Sequence, residues 1–169
     1  MHMKTCTKGF ALTELIVVIA IIGIILGITS LNFSQWQKKY YIEDQAKQMM
    51  ADLGDLRLQA MQTKTARMAV FGSNPAYIAF RTYTGAEQDG PTQTTGTEYS
   101  KKYLKFPVYS DSAYSATCAN MTFYATGVTS DVQTIYIMST GTGAAVDCLV
   151  ISRTRMNLGQ SNGTTCVYQ

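Results

Sequence analysis

Lys8-Gly9-Phe10-Ala11-Leu12-Thr13-Glu14-Leu15-Ile16-Val17 is the stretch on which the reading of this chain turns. A basic residue and a glycine precede an aromatic residue, and a long apolar run follows. From Leu15 to Leu31 nearly every residue is Ile, Val, Leu, Ala or Gly. A membrane-spanning helix needs about 20 such residues, and counting from Phe10 the run is sufficient. Glu14 is the one charge in it. An ionised group inside an apolar spanning segment costs about 2.5–3.5 kcal/mol on insertion scales, so a chain that keeps one has a use and a partner for it. A secretory signal would place a small-residue cleavage site after the apolar run. Here the basic residues and Gly9 come before it, and a helical pattern continues beyond it.

That pattern is amphipathic. Ile42, Ala46, Met49, Leu53, Leu56 and Ala60 recur at spacings of three and four, which places them on one helix face. Glu43, Asp44, Lys47, Asp52, Asp55 and Arg57 occupy other positions. No proline occurs before Pro75, so one helix from about Phe10 to about Lys64 is expected. Its first half suits lipid or a bundle of sibling helices, and its second half suits packing on a sheet. Gly23 and Gly27, four apart, suit close approach between membrane helices.

Beyond Met68 the signals are those of short strands. Met68–Phe71, Tyr77–Tyr83, Tyr103–Val108, Met121–Tyr124, Gln133–Met138 and Asp147–Arg153 read as strands, with turn clusters at Gly72-Ser73-Asn74-Pro75, Gly127, Gly141-Thr142-Gly143 and Asn162-Gly163. Gly85 to Ser100 reads as a long polar loop. The expected class is α+β: a long N-terminal helix packed on an antiparallel β-domain.

The N-terminal stretch resembles the class III signal of type IV prepilins and type II secretion pseudopilins, with matches at Gly9, Phe10, Leu12, Glu14 and Leu15. The resemblance implies cleavage between Gly9 and Phe10 by a prepilin peptidase, then N-methylation of Phe10. It divides the chain into a leader over 1–9, a pilin helix over 10–66 with about 10–31 in the membrane, and a β-rich periplasmic or extracellular domain over 67–169. It implies partners: other pilins or pseudopilins through the N-terminal helix, the peptidase, and an inner-membrane assembly platform. Glu14 would lie one helical turn from the Phe10 amine. Two opposite charges attract strongly in an apolar medium, which makes Glu14 the candidate assembly residue. Three further stretches resemble the FimT/FimU/GspH group of minor pilins and pseudopilins: Gln45–Met68 with its Arg-x-x-Ala step, Met121-Thr122-Phe123 with Gly127, and Leu149–Arg155. The expected role is a subunit that primes or caps a type IV pilus or a type II secretion pseudopilus. The alternative is a DNA-binding minor pilin that serves DNA uptake, with Arg153 and Arg155 on one strand face touching adjacent phosphates.

The remaining residues limit other readings. The formal charge is +3, and Lys4 and Lys8 lie ahead of the apolar run, so the rest is close to neutral. Those two lysines fit a cytoplasmic N-terminus. The single histidine is His2, in the leader, so no Ser-His or Cys-His pair, metal cluster or cofactor motif is expected, and the chain does not read as an enzyme. Of Cys6, Cys118, Cys148 and Cys166, the first lies in the leader. The other three allow one disulfide and one leftover thiol. Cys148–Cys166 is the first candidate pairing and Cys118–Cys148 the second; sequence leaves both open.

Overall fold

The computed structural model describes residues 11–83, 96–129, 131–139 and 143–168, with the side chains at 28–32 outside that description. The chain divides into two compact units, Met1–Gln37 and Lys38–Gln169. Helix α1 spans Leu12–Thr63. Glu14 stands in its first turn, where a negative charge opposes the positive end of the helix dipole. Its other end is closed by Lys64, which adopts a left-handed conformation with φ 55°, a common way to stop a helix.

The first unit is helix with apolar residues on every side. Leu12, Leu15, Ile16, Val17, Ile21, Ile24 and Leu26 are all exposed. A helix apolar all round is made for apolar surroundings. Among the described residues no helix is long and apolar enough to cross a membrane. The described apolar side chains stop at Gly27, and the apolar run continues in sequence to Leu31. Phe33 and Trp36 follow, both exposed, with ring centroids 6.1 Å apart.

In the second unit, the amphipathic part of α1 packs against two antiparallel sheets. Strands β1 (Arg67–Ser73), β2 (Ala76–Thr82), β3 (Thr97–Tyr103) and β5 (Met121–Phe123) form one sheet in the order β3-β2-β1-β5. Strands β4 (Val108–Tyr109), β6 (Gln133–Ile137), β7 (Cys148–Ile151), β8 (Met156–Ser161) and β9 (Cys166–Tyr168) form the other, in the order β4-β6-β7-β8-β9. Ile42, Ala46, Met49, Leu53, Leu56 and Ala60 are each 2% exposed or less. They meet Ala69, Ile78, Phe80, Met121 and Phe123 from the first sheet and Ile135, Ile137, Leu149 and Ile151 from the second in one core. Polar contacts pin the helix to both sheets. Gln45 donates to the Phe106 carbonyl at 2.8 Å and accepts from its N–H at 2.9 Å. Glu43 accepts from the Ala145 N–H, and Lys102 pairs with Asp52 at 2.6 Å.

Several strands differ from the sequence expectation. Thr97–Ser100 belongs to β3, although its threonines and glycine-rich approach read as loop. Pairing with β2 supplies what local propensity lacks. The expected strand from Tyr103 to Val108 is instead the end of β3 and the start of β4. Between them Gln45 takes both backbone groups of Phe106, and Pro107 has no N–H to give a ladder. Strand β7 ends at Ile151 and not at Arg153. Strands β8 and β9 went unread, because Asn157, Gly159 and Gln160 carry little strand signal. Their connection is the Asn162-Gly163 turn, with Gly163 at φ 90°. The expected loop from Gly85 falls partly on 84–95, and the Gly141-Thr142 part of the third turn cluster on 140–142, both outside the described residues.

Candidate functional site

The residues singled out from sequence lie in three places. The first is the start of α1. Glu14 donates its backbone N–H to the Ala11 carbonyl at 2.9 Å, and the Leu15 N–H reaches the same oxygen at 3.4 Å. The Glu14 side chain is exposed among Leu12, Leu15, Val17 and Val18, themselves exposed. Among the described residues no cation pairs with its carboxylate. A carboxylate ringed by aliphatic side chains is a site that a positive group would complete once water is withdrawn. Gly9 and Phe10, the cleavage and methylation positions, lie outside the described residues.

Residues 4–30 match the family model described as the prokaryotic N-terminal methylation motif. The N-terminus is type IV pilin-like. No curated protein and no solved structure matches the chain. The pilin-like segment therefore covers the run that holds Gly9, Phe10 and Glu14, and the β-rich unit stands outside that match.

The second place is the turn between β7 and β8. Arg153 and Arg155 lie in this turn, which corrects the expectation of two arginines on one strand face. The turn closes through the Ser152 N–H to the Arg155 carbonyl at 2.8 Å. It is tied to the core by Arg57, whose Nη1 donates to the Thr154 carbonyl at 2.7 Å, and by the Thr129 N–H on the Arg153 carbonyl. Both guanidinium groups are exposed and form no ion pair among the described residues.

The third place holds the cysteines. Cys148 on β7 and Cys166 on β9 are joined in a disulfide. Strand β8 lies between those two strands, and the bridge passes Gly159. A Cβ at Gly159 would come within 2.7 Å of Cys166 Sγ and 2.6 Å of the Val167 carbonyl oxygen, so the crossing requires glycine there. Cys118 is a free thiol, 6% exposed. Burial, and secondarily the Asp111 charge, push its pKa up from 9.0 to about 12. Asp111 itself is held below the usual carboxylate range by the Ser115 hydroxyl and the Ala116 N–H.

The sign of the Cys118 effect follows. The folded chain keeps the proton that the unfolded chain loses, so this contribution is complete below pH 9.0 and is lost as pH rises toward about 12. Stability measured by urea unfolding is expected to fall across that window in the wild type and to fall less in Cys118→Ala. Equal slopes in the two chains would refute the buried-thiol account.

Among the described residues no group of three His, Cys, Asp or Glu could hold a metal ion. Sequence reasoning missed a set of tyrosine–lysine contacts beside β3. Its signal was the alternation of Lys101 and Tyr103, which was read as ordinary strand composition.

Proposed function

We propose that this chain is a minor pilin or minor pseudopilin, a structural subunit that primes or caps a type IV pilus or a type II secretion pseudopilus. The observation that carries the reading is the methylation motif, placed at the head of a helix whose apolar side chains are exposed all round. In this reading a prepilin peptidase cuts between Gly9 and Phe10, and the new Phe10 amine is methylated. Residues from about 10 to 31 then hold the chain in the inner membrane, with the β-rich domain over 67–169 on the periplasmic side. Assembly into the pilus or pseudopilus uses the N-terminal helix, sibling pilins or pseudopilins, and the inner-membrane platform. The Gln45–Met68, Met121–Gly127 and Leu149–Arg155 stretches support placement beside the FimT/FimU/GspH group. Pilin-like proteins are in general structural, and this reading assigns no catalysis and no cofactor.

Mass spectrometry of the chain expressed with a prepilin peptidase tests the core of this. The mature N-terminus is expected at Phe10 and to carry one methyl group. Gly9→Val is expected to leave the leader attached, because a side chain there blocks close approach to the backbone. Recovery of normally cut Gly9→Val protein would overturn the assignment.

A second reading, DNA capture during uptake, draws on Arg153 and Arg155, exposed and without ion pairs among the described residues. Two such groups on one turn suit adjacent phosphates. Low-salt DNA binding that disappears in Arg153→Ala/Arg155→Ala supports it, and binding that survives the double change dismisses it.

A further inference from the structure

Strand β3 is an edge of the four-stranded sheet, and the face it shares with β2 away from α1 holds an unusual alternation. Tyr103 on β3 lies directly opposite Tyr77 on β2. Neighbouring Ile78 is in the core against the helix, so Tyr77 and Tyr103 point to the other face. Lys101, two residues before Tyr103, shares that face. Its ammonium stands 3.9 Å from the Tyr77 ring centroid and 5.7 Å from that of Tyr103. Just beyond, the Lys105 ammonium sits 3.0 Å over the ring of Tyr41 on α1. A cavity of about 130 Å³ lined by Tyr41, Tyr103 and Lys105 joins the two halves. The order along the surface is therefore Tyr77, Lys101, Tyr103, Lys105, Tyr41.

Three details distinguish this from incidental surface packing. Neither Lys101 nor Lys105 has a carboxylate partner among the described residues, whereas Lys102, on the opposite face, is neutralised by Asp52. Tyr103 is 68% exposed, a large ring left in water between two cations. Tyr77 is seated on β1: a Cβ at Gly72 would come within 2.1 Å of its ring. The ring has a fixed bed that any residue but glycine would fill.

We propose that this tyrosine–lysine ladder binds single-stranded nucleic acid. Ammonium groups without partners attract phosphates, and open aromatic faces stack unpaired bases whatever their sequence. In a duplex the bases are already stacked on one another, so the rings favour single strands. Asp44 also lines the cavity and repels phosphate at that end, which places the phosphate path nearer Lys101. The proposal shares a ligand class with the reading of the Arg153–Arg155 turn, but it uses other residues and stands or falls separately.

The test uses the full-length mature chain in detergent micelles and the anisotropy of a fluorescein-labelled oligo(dT) of about 12 nucleotides, a length within known single-strand site sizes. Duplex DNA and a sulfated polysaccharide serve as competitors. Oligo(dT) is expected to bind at low salt and to be displaced poorly by both. Lys101→Gln/Lys105→Gln is expected to weaken binding roughly tenfold and to flatten the log–log salt slope by about 1.4, the value for two phosphates on a single strand. Tyr103→Ala is expected to weaken it by about fivefold or more, while Tyr103→Phe, which keeps the ring, binds as wild type. Asp44→Asn is expected to tighten it. The proposal is overturned if oligo(dT) does not bind or if the ladder variants bind as wild type. Loss confined to Arg153→Ala/Arg155→Ala would also overturn it, leaving the turn as the DNA site. So would unchanged binding in Tyr103→Ala combined with equal competition by the polysaccharide, which would reduce the ladder to a general anion patch.

Discussion

Glu14→Ala is expected to be cut after Gly9 as efficiently as wild type and yet to enter filaments roughly tenfold less often, or not at all. The magnitude follows from the cost of an uncompensated charge in an apolar spanning segment, about 2.5–3.5 kcal/mol. An incoming chain with a free Phe10 amine and a resident Glu14 carboxylate each carry such a cost, and meeting removes both. Glu14 has no cation partner among the described residues, and its aliphatic neighbours are exposed, so the contact that completes it must come with assembly. Glu14→Gln, which keeps the shape and loses the charge, is expected to fail alike. The measurement is the ratio of processed chain in the membrane to chain in sheared filaments or in a cross-linked pseudopilus. Wild-type incorporation of Glu14→Ala would remove the role assigned to this residue.

Leu53→Ala is expected to cost the β-rich unit about 2–5 kcal/mol. Leu53 is fully buried where the helix meets both sheets, and the surrounding strands hold the space open. For a unit of this size the midpoint of thermal unfolding should fall by on the order of 10 °C. Leu58→Ala, on the exposed side of the same helix, should stay within about 0.5 kcal/mol. Near-ultraviolet circular dichroism of both chains in micelles makes the comparison. A shift in Leu53→Ala no larger than that in Leu58→Ala would refute the packing described above.

The same helix shows why part of this fold was legible. Ile42, Ala46, Met49, Leu53, Leu56 and Ala60 share a face because α-helical geometry repeats every 3.6 residues, whatever they pack against. The first two strands were legible for a similar reason: apolar residues flank a tight Asn74-Pro75 turn. Strands β8 and β9 were not. Their residues are polar or small, and their strand conformation depends on pairing with β7 and on the Cys148–Cys166 bridge, both contacts across the chain. Arg153 and Arg155 were misplaced onto a strand because the Leu149–Ile151 run has no local stop signal. What ends it is a turn held by Arg57 and Thr129, 97 residues upstream of Thr154 in the first case.

By itself the sequence determined the N-terminal motif, the continuous helix and its buried stripe. Each rests on residue types at fixed spacing, and a helix carries its hydrogen bonds within its own segment. Only the tertiary structure decided which cysteines pair, why Gly159 must be glycine, where the arginine turn sits, and that Tyr77, Lys101, Tyr103, Lys105 and Tyr41 share one surface. Those facts depend on strand register and on which elements lie side by side, and a one-residue slip in register would turn every one of those side chains to the opposite face.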